Sequence, residues 1–327
     1  MPVFNRYELT QRTILALRKT SQEIPFCITV VDNGSETALQ KKLIAFTEDG
    51  IIDNLFILPR NMGVACAANV GWQMVDAPIY MKLDNDTRIT EPHWLKKLLA
   101  LWRHGQPIST LGGAYDKTML LQHPGSLSTP DGILGICKTN LPGQAILIPQ
   151  EVAVLLGRWN EDYGLYGAED GDYGARMEAA GLPQYYYHGP DFFEDLGKND
   201  YQETYVKFHV DKSKETREAR VSSKGRLGLF VTNATLYSDC IRNLNVMPRY
   251  EIKDISKKYY ISIVEREEYK DFRYLLESIS VSLTKLVAEK KEISRFEPEF
   301  AQNLKRKLAQ FGQSIDDMPS NINPSRI

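Results

Sequence analysis

The stretch IYMKLDNDTRI, residues 79–89, decides how the chain is read. Four apolar residues, Ile79, Tyr80, Met81 and Leu83, run into Asp84 and Asp86, one residue apart. A short apolar run bounded by turn residues predicts a buried strand. A strand that stops at paired carboxylates places hard oxygen ligands at the carboxyl edge of a sheet, where open α/β folds bind ligands. Two carboxylates there suit Mg²⁺ or Mn²⁺, which prefer oxygen and often bridge to phosphates. Asp-Asn-Asp is also ordinary turn chemistry, so its neighbours carry the decision.

Upstream, short apolar runs alternate with helical patterns. FCITVV (residues 26–31) predicts a strand that ends at the turn Asp32-Asn33-Gly34-Ser35. Leu39, Leu43 and Phe46 then recur on one face of a helix. Residues 55–58 predict a second strand, ending at Pro59-Arg60-Asn61-Met62-Gly63, and a helix from Val64 to about Val75 follows. Its Ala65, Ala67, Ala68 and Gly71 allow close packing. Past the aspartate strand, Leu95, Leu98, Leu99 and Trp102 mark another helix. Such alternation predicts βαβ units and a mostly parallel sheet flanked by helices. Right-handed crossovers gather the loops on one edge, so Asp32, Asn61 and Asp86 are expected to share a pocket.

Between Gly105 and Gly143 the periodicity fades and Gly, Pro and Ser accumulate, which predicts a functional or disordered loop. Residues 145–148 predict a further strand. A helix is expected from about Glu169 to Ala180, stopped by Gly181. After residue 215 the chain turns charged and helical. The chain is therefore divided into a domain at 1–215 and a C-terminal helical region at 216–327. Phe272, Leu276, Ile279, Leu283 and Leu286 form one apolar stripe. That stripe is expected to pack on the domain, with homo-oligomerisation through it left open. LKRKLAQFG, residues 304–312, is basic and amphipathic, which leaves peripheral membrane contact open as well.

With 327 residues, 43% hydrophobic and 25% charged, the chain reads as globular rather than disordered. A net charge of −2 does not advertise nucleic acid as a partner. No apolar stretch nears the roughly 20 residues of a membrane span, and the first residues do not read as a signal peptide. The four cysteines, Cys27, Cys66, Cys137 and Cys240, have no C-x-x-C spacing and read as reduced and buried. A cytoplasmic protein is the expectation.

In order and spacing, ITVVDNGS, LPRNMGVACAANVGW and YMKLDNDTRITEPHWL resemble an inverting nucleotide-sugar glycosyltransferase of the GT-A fold. The closest type is family 2, including its rhamnosyltransferase-like members. GRWNEDYGLYGAEDGDYGARMEAAG resembles that family's acceptor-side motif, and the resemblance extends over roughly residues 1 to 200. It implies a nucleoside-diphosphate sugar as donor, UDP- before dTDP-, and Mn²⁺ or Mg²⁺ as cofactor. A hydroxyl of a glycan, lipid-linked or small-molecule acceptor would displace the nucleotide. The resemblance also implies roles for single residues. Pro2, Phe4 and Asn5 lie in the loop beside the nucleotide base, and Asp32 accepts hydrogen bonds from it. Arg60, Asn61 and Asn69 hold ribose and diphosphate. Asp84 contacts ribose or metal, Asn85 faces the donor, and Asp86 binds metal. Glu169 and Asp170 match the family's Glu-Asp pair, with Asp170 as general base. His188 is the third metal ligand, with Asp195 as the alternative. Because Met1 directly precedes Pro2, the first inner strand is expected to be cut short.

A sugar-1-phosphate nucleotidyltransferase would need a Gly-rich phosphate loop near its start, which MPVFNRYELT does not supply. A nicotinamide dehydrogenase would need G-x-G-x-x-G after the first strand, and there is none. The remaining rival is a degenerate GT-A domain that binds nucleotide or glycan without transfer.

Overall fold

The apolar run before Asp32 forms the strand β2 (Thr29–Asp32), between the two-residue β1 (Pro2–Val3) and β3 (Asn54–Ile57). All three run parallel, with Val3 opposite Asp32 and Asp32 opposite Ile57. The structure, a computed structural model, describes residues 1–20, 23–113, 125–137, 141–161, 165, 169–188, 192–198, 247–256 and 258–267. The helices expected from periodicity are there as α2 (Thr37–Glu48), α3 (Val64–Met74) and α4 (Trp94–Trp102), and a further helix, α1 (Tyr7–Thr20), precedes them. Each turns one apolar face inward, as Leu39 and Leu43 of α2 show. Among the described residues β1 stands at the edge of its sheet, paired with β2.

The aspartate strand is β4 (Ile79–Leu83), followed after the turn by β5 (Thr87–Ile89). A second sheet has the order β4-β9-β6-β10-β8-β7. Its members are β6 (Thr110–Gly112), β7 (Ser126–Thr129), β8 (Gly132–Cys137), β9 (Ala145–Pro149) and β10 (Gln184–His188). Only β6 and β10 pair in parallel there. The parallel reading therefore holds for β1, β2 and β3, and the fold is mixed α/β. The helices α5 (Gln150–Leu156) and α6 (Glu169–Ala179) cover this sheet through Val152, Leu156, Tyr173 and Met177, joined by Trp159 from the segment between them. Gly181 ends α6 with φ +67°, as its position predicts. One apolar cluster runs from Val30 and Leu55 through Leu83 to Leu111 and Leu147, so the two sheets share a core. Each such buried aliphatic side chain contributes about 1.5–3 kcal/mol.

Two stretches differ from expectation. The region expected as an irregular loop contains β6 and the hairpin β7–β8. Its glycines are packing devices: a Cβ at Gly135 would lie 2.0 Å from the Tyr186 ring. Within the C-terminal region expected as helical, β12 (Tyr250–Ser256) and β13 (Tyr260–Glu265) are strands. Here β13 joins the edge of β3, while Ile252, Ile261 and Ile263 cover Val31, Leu58 and Val70. Alternating β-branched residues suit a sheet edge, and the neighbour they cover is distant in sequence. The stripe at residues 272–286 and the segment at 304–312 lie outside the described residues.

Cys66 and Cys137 are buried and outside any disulfide, as expected, but Cys27 is exposed, and Cys240 lies outside the described residues. No helix among the described residues is long and apolar enough to cross a membrane.

The turn after β2 makes a close approach that admits no side chain. Gly34 has φ +75°, and a Cβ there would lie 2.4 Å from the backbone of Arg60. Gly34→Ala combines left-handed strain with overpacking against backbone and should cost about 2–4 kcal/mol, read from urea unfolding midpoints. A change under about 0.5 kcal/mol would show that the loops separate freely.

Candidate active site

The turn after β4 is built by backbone and by α1. The Asp84 N–H donates to the Gln144 carbonyl (2.8 Å), and the Thr87 N–H to that of Asp84 (3.2 Å). Asn85 turns into α1: its Nδ2 donates to Thr10 Oγ1 (2.9 Å), and its carbonyl accepts from Thr13 Oγ1 (3.1 Å). Asn85 thus anchors the turn. On its far side β5 pairs with β11 (Phe193–Asp195), setting Asp195 opposite Thr87. A 3₁₀ turn at Leu196–Lys198 follows, and Leu196 N–H donates to the Asp86 carbonyl (2.8 Å). Around Gly197 three groups converge. A Cβ built there would lie 2.7 Å from Asp86 Oδ2, 3.0 Å from Arg6 Nη2 and 3.2 Å from Asp195 Oδ1. Arg6 Nη1 donates to Asp86 Oδ2 at 2.8 Å. Burial, then the neighbouring Asp84, raise the Asp86 carboxyl above its usual range; Arg6 opposes this and Asp195 adds to it.

Lys82, within the apolar run of β4, is the hub of the other side. Its Nζ donates to Asp84 Oδ1 (2.7 Å) and to the Gly143 carbonyl, with the side chain only 5% exposed. The Gly143 N–H in turn donates to Asp170 Oδ2 (3.2 Å), while Gly171 N–H holds Asp170 Oδ1 (2.8 Å). One residue, Gly143, therefore joins the aspartate turn to the first residues of α6 through its two backbone polar groups. Burial works against the Lys82 charge, but Asp84, Glu169 and Asp170 outweigh it and hold the ammonium protonated. Glu169 is buried, and its Oε2 has no hydrogen-bond partner among the described residues. Asp172 pairs with Arg176 one turn on (2.9 Å), a buried tie that fixes α6 and coexists with the site.

The loops of the first sheet are stitched to one another. Asn5 and Arg6 both adopt left-handed backbone (φ 53° and 58°). Asn5 N–H donates to Ser35 Oγ (2.8 Å), and Asn5 Oδ1 accepts from Glu36 N–H (3.2 Å). Asn33 Nδ2 donates to Asn61 Oδ1 (2.9 Å), and Asn33 Oδ1 accepts from Met62 N–H (2.8 Å). Asp32 is buried. Its Oδ2 accepts from Ser35 N–H and Gln40 Nε2, and its Oδ1 has no hydrogen-bond partner among the described residues. Burial pushes this carboxyl up, with the hydrogen bonds pulling back. Pro2 is buried in β1, Phe4 half-buried and Arg60 exposed. Asn69 is different: at 0% exposure it gives its amide to Trp159 O (2.8 Å) and Glu161 Oε1 (2.6 Å), and its Oδ1 accepts from Trp159 N–H (2.9 Å). Its side chain has no surface to offer a ligand. These hydrogen bonds tie α3 to the chain before α6.

Asp84, Asp86 and Asp195 supply hard oxygens of the kind Mg²⁺ or Mn²⁺ prefers. Asp86 and Asp195 converge, so the donor chemistry fits such a cation. No group of three His, Cys, Asp or Glu among the described residues is close enough to hold one in this arrangement. His188 ends β10, and its side chain lies outside what is described. Arg6 and Lys82 went unremarked in the sequence. The signal for Lys82 was an ionisable residue inside a buried strand, which needs paired neighbours. Arg6 carried no such signal.

The raised Glu169 carboxyl gives a pH signature. Burial, the largest cause, lifts it above its usual 4.5, against the pull of Lys82. The folded state then holds this proton more tightly than the unfolded chain. That stabilisation is complete below pH 4.5 and is lost as pH rises through the folded value. Glu169→Gln keeps the shape without the ionisation. Its urea midpoint should match wild type in acid and exceed it at neutral pH; identical midpoints at both would mean the carboxyl is not desolvated.

Residues 1–132 match the family model described as Glycosyl transferase family 2. No curated protein sequence matches the chain. Among solved structures, GalNAc-T7 with UDP, GalNAc and Mn²⁺ is 15% identical at a TM-score of 0.45, over 57% of this chain and 41% of that one. TarS from S. aureus is 11% identical at 0.49, over 95% and 47%. The mannosyltransferase PcManGT from Pyrobaculum calidifontis, in complex with GDP-Man and Mn²⁺, is 14% identical at 0.49, over 94% and 78%. The chain spans less than half the length of the first two. The 132 matched residues, which hold Asp32, Asp84 and Asp86, are thus similar to glycosyl transferase family 2, over less than half of the 327-residue chain.

Proposed function

We propose that the protein is a metal-dependent inverting glycosyltransferase of the hexosyltransferase class. It would transfer a sugar from a nucleoside-diphosphate donor to a hydroxyl of a glycan, lipid-linked or small-molecule acceptor. One observation carries the reading: Lys82 and Gly143 join the aspartate turn to the acidic start of α6, so donor-side and acceptor-side carboxylates share one edge. The unpartnered Asp32 Oδ1, buried beside the stitched loops, suits an N–H of a nucleotide base. Among the bases UDP is the first expectation and dTDP the second. Asp84 and Asp86, with His188 or Asp195, are the proposed ligands of Mn²⁺ or Mg²⁺. When bound, that cation draws charge from the departing diphosphate.

This chain's own residues do the rest. Asp170 is held at both oxygens by backbone N–H groups of Gly143 and Gly171, at the start of α6. It accepts the proton of the acceptor hydroxyl as that oxygen attacks the anomeric carbon. The bond from that carbon to the nucleoside diphosphate breaks in the same step, inverting the configuration. Lys82 keeps Asp84, Glu169 and Asp170 from repelling one another apart. A cytoplasmic role in polysaccharide synthesis is the proposed setting. A second reading is a degenerate domain that binds nucleotide or glycan without transfer.

Calorimetric titration of UDP, dTDP and GDP, each with and without Mn²⁺, should reveal manganese-dependent binding of one nucleotide. Binding of none would sink the donor site. Asp86→Ala should abolish metal-dependent turnover. Asp170→Asn should keep nucleotide affinity while transfer falls about 10²- to 10⁴-fold. Near-full transfer by Asp170→Asn removes the base assignment, and intact nucleotide binding with no transfer by wild type favours the degenerate reading.

A further inference from the structure

We propose that Arg6 is the resident counter-ion of Asp86, and that a divalent cation binds at this carboxylate only by displacing it. The inference rests on the metal reading above and adds a competitor that the chain itself supplies. Arg6 Nη1 sits on Asp86 Oδ2 at 2.8 Å, the oxygen that also faces Asp195 across Gly197. A guanidinium and a divalent cation on the same oxygen would repel strongly, so the two cannot share it.

Three features make Arg6 a replaceable occupant rather than a fixed strut. Its hold on Asp86 is a single donor, and its buried Nε has no hydrogen-bond partner among the described residues. A structural arginine such as Arg176 contrasts sharply, spending Nε on Asp172 and Nη2 on the Arg158 carbonyl. Second, Arg6 follows Asn5 in left-handed backbone, φ 58° after φ 53°. Two successive non-glycine residues there store strain, which accumulates where a segment must switch or be held for function. Third, the side chain is 27% exposed, against 0% for Arg176, which leaves a path toward solvent.

Displacement has a measurable consequence. A protein whose binding-competent state is only partly populated shows an apparent affinity lowered by that fraction. With Arg6 on Asp86, the competent state is the one with Arg6 swung away. Removing the guanidinium should therefore tighten metal binding, whereas loss of an ordinary structural ion pair would weaken it. The loop also ties Arg6 to Asn5 and hence to Ser35 and Glu36, so the competitor is tethered beside the proposed nucleotide loops.

The test uses the full chain and Mn²⁺ alone, without nucleotide, with the free-ion EPR signal as readout. Arg6→Gln should bind Mn²⁺ about tenfold more tightly than wild type or better. Arg6→Lys, which keeps the charge, should stay within about threefold of wild type. Asp86→Ala in the Arg6→Gln background should lose the gain, which places it at this carboxylate. Equal or weaker binding by Arg6→Gln overturns the inference and leaves the metal reading standing. No Mn²⁺ binding by any variant overturns the metal reading and the inference together. If Arg6→Gln fails to fold, ¹⁵N spectra of the arginine side chains in wild type give the same answer. The Arg6 signal, identified by its absence in Arg6→Lys, should shift on adding Mg²⁺; an unchanged signal at saturation overturns the proposal.

Discussion

The ammonium of Lys82 lies among the carboxylates of Asp84, Glu169 and Asp170, at the end of a strand where water is largely excluded. Three carboxylates in one partly buried space would otherwise repel one another, and the low local dielectric would magnify that repulsion. A single cation held by the same strand that delivers Asp84 removes the problem and fixes the spacing. It bonds Asp84 directly and reaches Asp170 through Gly143. The approach of α6 to β4 depends on this arrangement, since without it the acidic helix start would face an acidic turn. Neutral residues at position 82 would pack as well, but they would leave the charges uncompensated.

The other half of the site is organised by short polar side chains rather than by a cation. Asn5 joins the loop after β1 to the one after β2, and Asn33 joins the latter to the loop before α3. These amides let three loops pack closely with their backbone groups satisfied. Gly34 is required because the loops approach within a distance that excludes any Cβ. The result is a rim of joined loops beside Asp32, whose buried Oδ1 has no hydrogen-bond partner among the described residues. Asn69 and Glu161 extend the same logic to the far side, joining α3 to the β12–β13 hairpin through the Tyr250 N–H. The β12–β13 hairpin is thereby part of the first sheet.

How much of this could be read from residues alone varied with the range of the interaction. β4, the turn at 84–86, α6 and its stop at Gly181 follow from local chemistry: apolar runs, acid-rich helix starts and positive-φ glycines. The hairpins at 126–137 and 250–265 could not be read so well, because their strands are held by partners far along the chain. β7 exposes most of its residues, so its sequence carries little periodic signal. The roles of Asn69 and Asn85 were also illegible. An asparagine on a helix or in a turn looks the same whether its amide faces a ligand or the interior.

The sequence by itself determined the alternation of strand and helix, the place where the acidic turn falls, and the family to which residues 1–132 are similar. These are set by side-chain periodicity and turn chemistry within windows of about 5–20 residues. Only the tertiary structure decided which charge meets which. That Arg6 takes Asp86, that Lys82 takes Asp84, and that Asp195 converges on Asp86 depends on strands that bring positions 6, 82, 86 and 195 together. Electrostatic pairing falls off with distance in space and is blind to separation along the chain, so no local pattern could have announced it.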